Sequence, residues 1–232
     1  MIQTIPAHDR FRADHGWLKT FHLFSFADYY DPTNLQFGVL RVFNDDSIDA
    51  YSGFGDHGHA DMEIVTIVFA GELSHRDSMG NAATICAGEV QRMTAGTGIV
   101  HAEKNLGKDP IHLFQVWFLP TQEGLTPSYS QKDFSTVSKK NVLLFVGDVV
   151  PNEEALKLNA SAKIALSELE EGKTLEYRPA TGRGVFIYVR EGAIAINGIP
   201  VEAGDQARIT EEALLKISAT KNASFILIDV AR

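Results

Sequence analysis

The length and phase of the apolar runs constrain this chain most. Phe37-Gly-Val-Leu-Arg-Val-Phe43, Glu63-Ile-Val-Thr-Ile-Val-Phe69, His112-Leu-Phe-Gln-Val-Trp-Phe118, Gly184-Val-Phe-Ile-Tyr-Val189 and Ser224-Phe-Ile-Leu-Ile-Asp229 are short, rich in β-branched and aromatic residues, and bounded by glycine-bearing turns. Runs of this kind suit strands, and no long stretch carries the 3.6-residue period of an amphipathic helix. Only Asn152 to Leu158 suggests one or two helical turns. Many short strands between turns predict an all-β chain of antiparallel barrels or jelly rolls with few short helices.

An internal echo predicts two such units. Val68-Phe-Ala-Gly71-Glu-Leu, the turn Gly80-Asn81 and Ala87-Gly88-Glu89 recur as Val189-Arg-Glu-Gly192-Ala-Ile, Asn197-Gly198 and Ala203-Gly204-Asp205. A chain of 232 residues, 44% hydrophobic, is long enough for two modest cores. The boundary is expected between Ser135 and Leu143, in the polar run Thr136-Val-Ser-Lys-Lys140, giving units of 1–137 and 138–232. The copies differ in chemistry, because all eight histidines precede residue 113. Sliding Gly71 onto Gly192 carries His57 and His59 to Arg178 and Ala180, and sliding Gly88 onto Gly204 carries His101 to Ile217. The second unit is therefore expected to lack metal ligands and to act as scaffold or lid.

Composition removes several classes of function. A net charge of −9 without a Lys/Arg run argues against direct nucleic-acid binding. The single cysteine, Cys86, cannot form an intramolecular disulfide, fits a reducing compartment and reads as a small buried hydrophobe. No stretch approaches the roughly 18 apolar residues of a membrane span, and the N-terminus lacks a signal-peptide apolar region, so a soluble cytoplasmic protein is expected. A Walker lysine loop and a Gly-x-Ser-x-Gly elbow are both missing, which leaves nucleotide cofactors and acyl transfer without support.

The chemistry is concentrated in two strings, His57-Gly58-His59 and His101-Ala102-Glu103. In a strand, residues i and i+2 share a face, so two neighbouring strands of this type present three imidazoles and a carboxylate together. That donor set suits one divalent first-row transition ion; Fe, Mn, Ni, Co, Cu and Zn all qualify. Four protein ligands leave one or two open positions for substrate or dioxygen. Glu63 shares the phase of His57 and His59 and competes with Glu103 as fourth ligand. Otherwise it reads as a partner that orients a ligand histidine, or as half of a buried ion pair. Asp61 reads as a turn or strand-end residue, His75 as an exposed polar residue beside a hairpin, and His22 and His112 as packed histidines. Phe54, Phe114 and Trp117 are candidates for the wall of an aromatic pocket, or else for the core.

Gly53-Phe-Gly-Asp-His57-Gly-His59-Ala-Asp61-Met-Glu63, followed by Asp77-Ser-Met-Gly-Asn81, Ala95-Gly-Thr-Gly-Ile99 and His101-Ala-Glu103, resembles the first cupin domain of the pirin family. The upstream His15-Gly-Trp17-Leu and Phe21 to Pro32 do likewise. The resemblance is dense over residues 10 to 130. It implies a bicupin with one metal, iron above all, held by His57, His59, His101 and Glu103. It also implies a quercetin 2,3-dioxygenase activity in which a flavonol ring is opened by O2 with loss of carbon monoxide; beside such a metal, Glu103 is the nearest candidate base. Because an animal member is described as an iron-dependent nuclear coregulator, the resemblance also admits a metal- or redox-sensing role through a protein partner. Another cupin reaction, such as isomerisation of a small sugar or keto acid, is a further alternative. The chain departs from the family pattern at Gly58, Ala60 and Ala102, where proline, a cation and serine are usual.

Overall fold

The computed structural model of the chain describes residues 1–151 and 154–232. Almost all regular structure is strand; among the described residues the helical content is one 3₁₀ turn, Ala7–Asp9. Asn152 and Glu153, part of the expected helical turns, lie outside the described residues, and Leu156–Lys157 beyond them is a strand.

Two sheets build the N-terminal barrel. The larger runs in the order Ser128–Asp133, Glu89–Thr94, Glu63–Ala70, Ile111–Phe118, Leu40–Ile48, Leu18–His22 and Phe11–Asp14. The smaller runs Gly53–His59, Ile99–Lys104, Glu72–Asp77 and Ala82–Cys86. A nine-stranded sheet forms the second barrel, and its strands Arg183–Ile196 and Leu215–Ala231 are long enough to turn corners at successive register shifts. The first strand of the chain, Ile2–Ile5, pairs with Gln206–Thr210 of that second barrel. Residues 134–143 run from the last strand of one barrel toward the first of the other.

The repeat read from the sequence is visible in the ladders. Gly88 N–H donates to the Val68 carbonyl at 2.8 Å, and Gly204 N–H donates to the Val189 carbonyl at 2.7 Å, at the matching position of the second copy. Thr66 pairs with Gln91 as Ile187 pairs with Ala207. In a strand the side chains alternate between faces, so each barrel sorts its residues by parity. Val65, Ile67 and Phe114 point away from the first barrel's interior and join Leu166, Phe186, Tyr188 and Ile226 in a core shared by the two barrels. Tyr188 donates its hydroxyl proton to Asp45 at 2.6 Å across this boundary, and Asp45 also receives His112 Nε2–H at 2.8 Å.

The two interiors are unlike. That of the second barrel is filled with aliphatic side chains such as Ile187, Ile194, Ile217 and Leu227. In the first, an inward row crosses six of the seven strands of the large sheet as His22, Asn44, Gln115, Thr66, Gln91 and Gln131, each paired in register with the next. At the corresponding places the second barrel pairs Ala165, Leu227, Ile187 and Ala207. The second barrel is therefore aliphatic along this row, whereas the first carries a polar row between apolar clusters such as Leu18, Ile48 and Val68.

Candidate metal centre

The small sheet brings the two histidine strings side by side. Gly53–His59 and Ile99–Lys104 run antiparallel with His101 opposite His57, and the register slips between His101 and Glu103, which lies opposite Phe54. This bulge adds one residue to the Gly53–His59 strand and reverses the phase of what precedes it, so Phe54 faces the same cavity as His57 and His59. The ladder is unusually close at the bulge. Gly53 sits at φ +147°, and a Cβ there would lie 2.4 Å from the Glu103 carbonyl oxygen, so only glycine fits.

His57, His59 and His101 converge, with one ring nitrogen from each within 4.8 Å of the others. His57 Nδ1–H donates to the Gly55 carbonyl at 2.8 Å, which leaves Nε2 with its lone pair. His59 Nε2 and both ring nitrogens of His101 are buried without a hydrogen-bond partner. Buried donors and acceptors are otherwise almost always paired, so such nitrogens fit a site built for an ion. Burial, together with the neighbouring imidazoles, lowers His59 to about 4 and His101 to about 3. Both rings are thus neutral at pH 7, as coordination requires.

Glu103 belongs to a second, overlapping group. Its carboxylate, with His75 and His101, satisfies the same 4.8 Å criterion, and all three residues are buried. The polar row of the facing sheet holds it: Gln115 Nε2 donates at 2.8 Å, Gln91 Nε2 at 3.3 Å and Thr66 Oγ1 at 3.4 Å. His101 is therefore the shared corner of a three-imidazole group and a group that contains Glu103.

Several expectations change. His75 is 2% exposed rather than a surface residue. Its strand, Glu72–Asp77, pairs with Ile99–Lys104 and places His75 opposite Glu103. His75 Nε2–H donates to Asp77 at 3.1 Å, while its Nδ1 is buried and unpartnered beside the His101 ring, 5.4 Å away between centroids. Glu63 is remote from the cluster. The turn at Ser/Thr-free residues 60–62 resets the phase, and Asp61 takes a positive φ of 48° there. Glu63 consequently faces the boundary between barrels, where it accepts from Thr94 Oγ1 at 2.6 Å and Asn159 N–H at 2.9 Å and lies 3.7 Å from Arg92 Nε. Burial raises its pKa against those bonds. Of the three aromatic candidates, Phe54 and Trp117 line the cavity, but Phe114 has the opposite parity to Trp117 and packs against Phe43 and Tyr188. Cys86 is only partly buried.

The cavity beside the cluster measures about 390 Å³, within the range of small-molecule sites. Trp17, Phe26, Phe54 and Trp117 form its aromatic walls, and the Trp117 ring meets His59 edge to face at 4.7 Å. His22, Asn44, Asp46 and Gln115 give it a polar side. The sequence reading passed over Asn44, Asp46, Thr66, Gln91 and Gln115. The available signal was a lone polar residue at the inward phase of an otherwise apolar strand, as with Thr66 in Ile-Val-Thr-Ile-Val.

Residues 5–118 match the family model described as Pirin, and residues 150–230 match that of the quercetinase C-terminal cupin domain. A protein of Escherichia coli strain K12 named quercetin 2,3-dioxygenase is 39% identical, with 99% of each chain covered. A pirin-like protein of Caulobacter vibrioides is 38% identical over the whole of both chains. Among solved structures, the bacterial pirin YhhW of E. coli in complex with nickel(II) superposes with a TM-score of 0.94 at 38% identity, covering 100% of this chain and 99% of that one. Matched along its whole length in sequence and in both barrels, this chain belongs to the pirin family.

Proposed function

We propose that the chain is a metal-dependent dioxygenase that opens the central ring of a quercetin-like flavonol with O2. The observation that carries this reading is the set of unpartnered imidazole nitrogens at the edge of an aromatic-walled cavity. His57, His59, His101 and Glu103 are the proposed ligands of one divalent ion, and the names of the relatives supply the substrate class. Iron is the ion expected from the family resemblance, and nickel is the ion in the related E. coli structure. When bound, the ion would supply the positive charge that stabilises a deprotonated flavonol oxygen, together with open positions for oxygen ligands.

The protein's own groups do the rest. Glu103 accepts the proton of the flavonol 3-hydroxyl, and the donors Gln115, Gln91 and Thr66 hold its carboxylate in place for that transfer. Trp17, Phe54 and Trp117 keep a flat ring system in position and exclude water from the reacting face. The anionic ring is then electron-rich enough for dioxygen to add, and it opens with loss of carbon monoxide. A cavity of small-molecule size walled by Trp17, Phe54 and Trp117 favours this reading over a purely regulatory metal protein.

Metal-reconstituted protein should consume quercetin and O2 together, followed by loss of flavonol absorbance and by an oxygen electrode. His57→Ala and His101→Ala should each abolish both signals and stoichiometric metal, while thermal unfolding stays cooperative. Turnover without oxygen uptake would point to another cupin reaction. Full metal binding with no turnover of any flavonol would point to a sensor.

A further inference from the structure

The cavity carries one buried acidic group that the chemistry above does not use. Asp46, on Leu40–Ile48, is 4% exposed and lines the cavity, and its Oδ1 has no hydrogen-bond partner. A buried carboxyl oxygen without a partner keeps its full desolvation penalty unless something fills the gap. The structure around it is ordered by parity. Thr20 and Leu113 are its neighbours in the ladder, and Asn44 lies two residues away on the same face. Asn44 Oδ1 contacts His22 Nδ1 at 2.8 Å, so these two pair with each other and neither reaches the unpartnered Oδ1 of Asp46. His57, His59 and Glu103 line the same space from Gly53–His59 and Ile99–Lys104, together with Trp17, Phe26 and Phe54.

We propose that Asp46 is the specificity-determining residue of the cavity, binding a phenolic hydroxyl of the substrate remote from the pair of oxygens that meets the metal. The assignment rests on the flavonol reading given above and narrows it to polyhydroxylated aromatics. A neutral hydroxyl is the ligand class that fits. Burial pushes Asp46 up to about 7, with Asp45 and Glu103 adding to the rise against the Thr20 bond. The polar groups beside it, the Thr20 hydroxyl and the Asn44 amide, are neutral, so this wall of the cavity is built from groups that pair with a neutral hydroxyl. A cationic ligand would require an ionised carboxylate.

The test compares two probes on metal-loaded protein under anaerobic conditions. Quercetin carries phenolic hydroxyls on its outer rings; 3-hydroxyflavone retains only the oxygens that would meet the metal. Dissociation constants are read from quenching of Trp17 and Trp117 fluorescence. In the wild type, quercetin should bind about tenfold tighter than 3-hydroxyflavone. In Asp46→Ala that ratio should fall to near one, and the isosteric Asp46→Asn, with an amide donor and acceptor, should recover most of it. A ratio unchanged in Asp46→Ala, or equal binding of both probes by the wild type, would overturn the assignment and leave the flavonol reading intact. Failure of both probes to bind the metal-loaded wild type would overturn both. Tyramine binding tighter than quercetin, with that preference lost in Asp46→Asn, would show a cation site and overturn the hydroxyl assignment.

Discussion

At the residue scale the proposed metal centre is backed by groups outside its ligand set. Asp77 accepts from His75, and the free Nδ1 of His75 sits beside the His101 ring. Asp77 thereby fixes the tautomer and orientation of His75, which groups with His101 and Glu103 as a candidate metal-holding set, and loss of such a carboxylate behind a ligand histidine usually costs 10–100-fold in metal affinity. Asp77→Asn and His75→Phe should each weaken metal binding by about that factor in a competitive chelator titration. An affinity within twofold of wild type in both would reduce the pair to packing. Asp46 gives the pH dependence a sign. Its carboxyl holds a proton to about pH 7 in the folded chain and releases it near pH 3.9 when unfolded. The folded state binds more protons across that interval, so the group's stabilising effect is complete below about pH 4 and lost by about pH 7. Asp46→Asn, which cannot ionise, should gain stability relative to wild type as pH rises from 4 to 8, by at most about 4 kcal/mol. Melting temperatures across that range measure it, and a constant difference would contradict the assigned shift.

At the element scale the bulge between His101 and Glu103 decides which side chains meet. It requires Gly53 at a positive φ and in contact with the facing backbone, so Gly53→Ala should destabilise the protein by more than about 1 kcal/mol. Gly58 differs. It has no left-handed φ, and a Cβ there would meet its nearest atom at 3.8 Å, an ordinary contact. Gly58→Ala should therefore be neutral or stabilising by about 0.4–1 kcal/mol through the entropy of the unfolded chain. Urea unfolding of the pair would check the contrast, and equal effects would refute the close approach at Gly53. The departure of Gly58 from the family's usual proline thus alters backbone freedom between two histidines without making a steric demand.

At the scale of the molecule the two barrels are bound into one another. Their shared core joins Val65, Ile67 and Phe114 to Leu166, Phe186 and Ile226, and the opening strand Ile2–Ile5 completes the sheet of the far barrel. Exposing those side chains would cost about 1.5–3 kcal/mol each, in sum comparable with a domain's net stability of roughly 5–15 kcal/mol. Calorimetry should therefore show a single unfolding transition, and two resolved transitions would contradict the coupling. The second barrel, filled by Ile187, Ile217 and Leu227, is the wall against which the histidine-bearing barrel is packed.

What the chain announced by itself was local in origin. Strand composition, the glycine echo and the His-x-His and His-x-Glu spacings all follow from the two-residue period of a strand, so the all-β class, the repeat and the meeting of His57, His59 and His101 were legible. Phase is lost wherever a turn or bulge intervenes. The turn at 60–62 therefore sent Glu63 to the boundary between barrels, and the bulge beside His101 brought Phe54 into the cavity. Which strands become neighbours is decided by closure of the barrel, a long-range event with no local spacing. Only that closure carried His75 behind His101, aligned a polar row from His22 to Gln131 across six strands, and left Asp46 facing the reactive cluster.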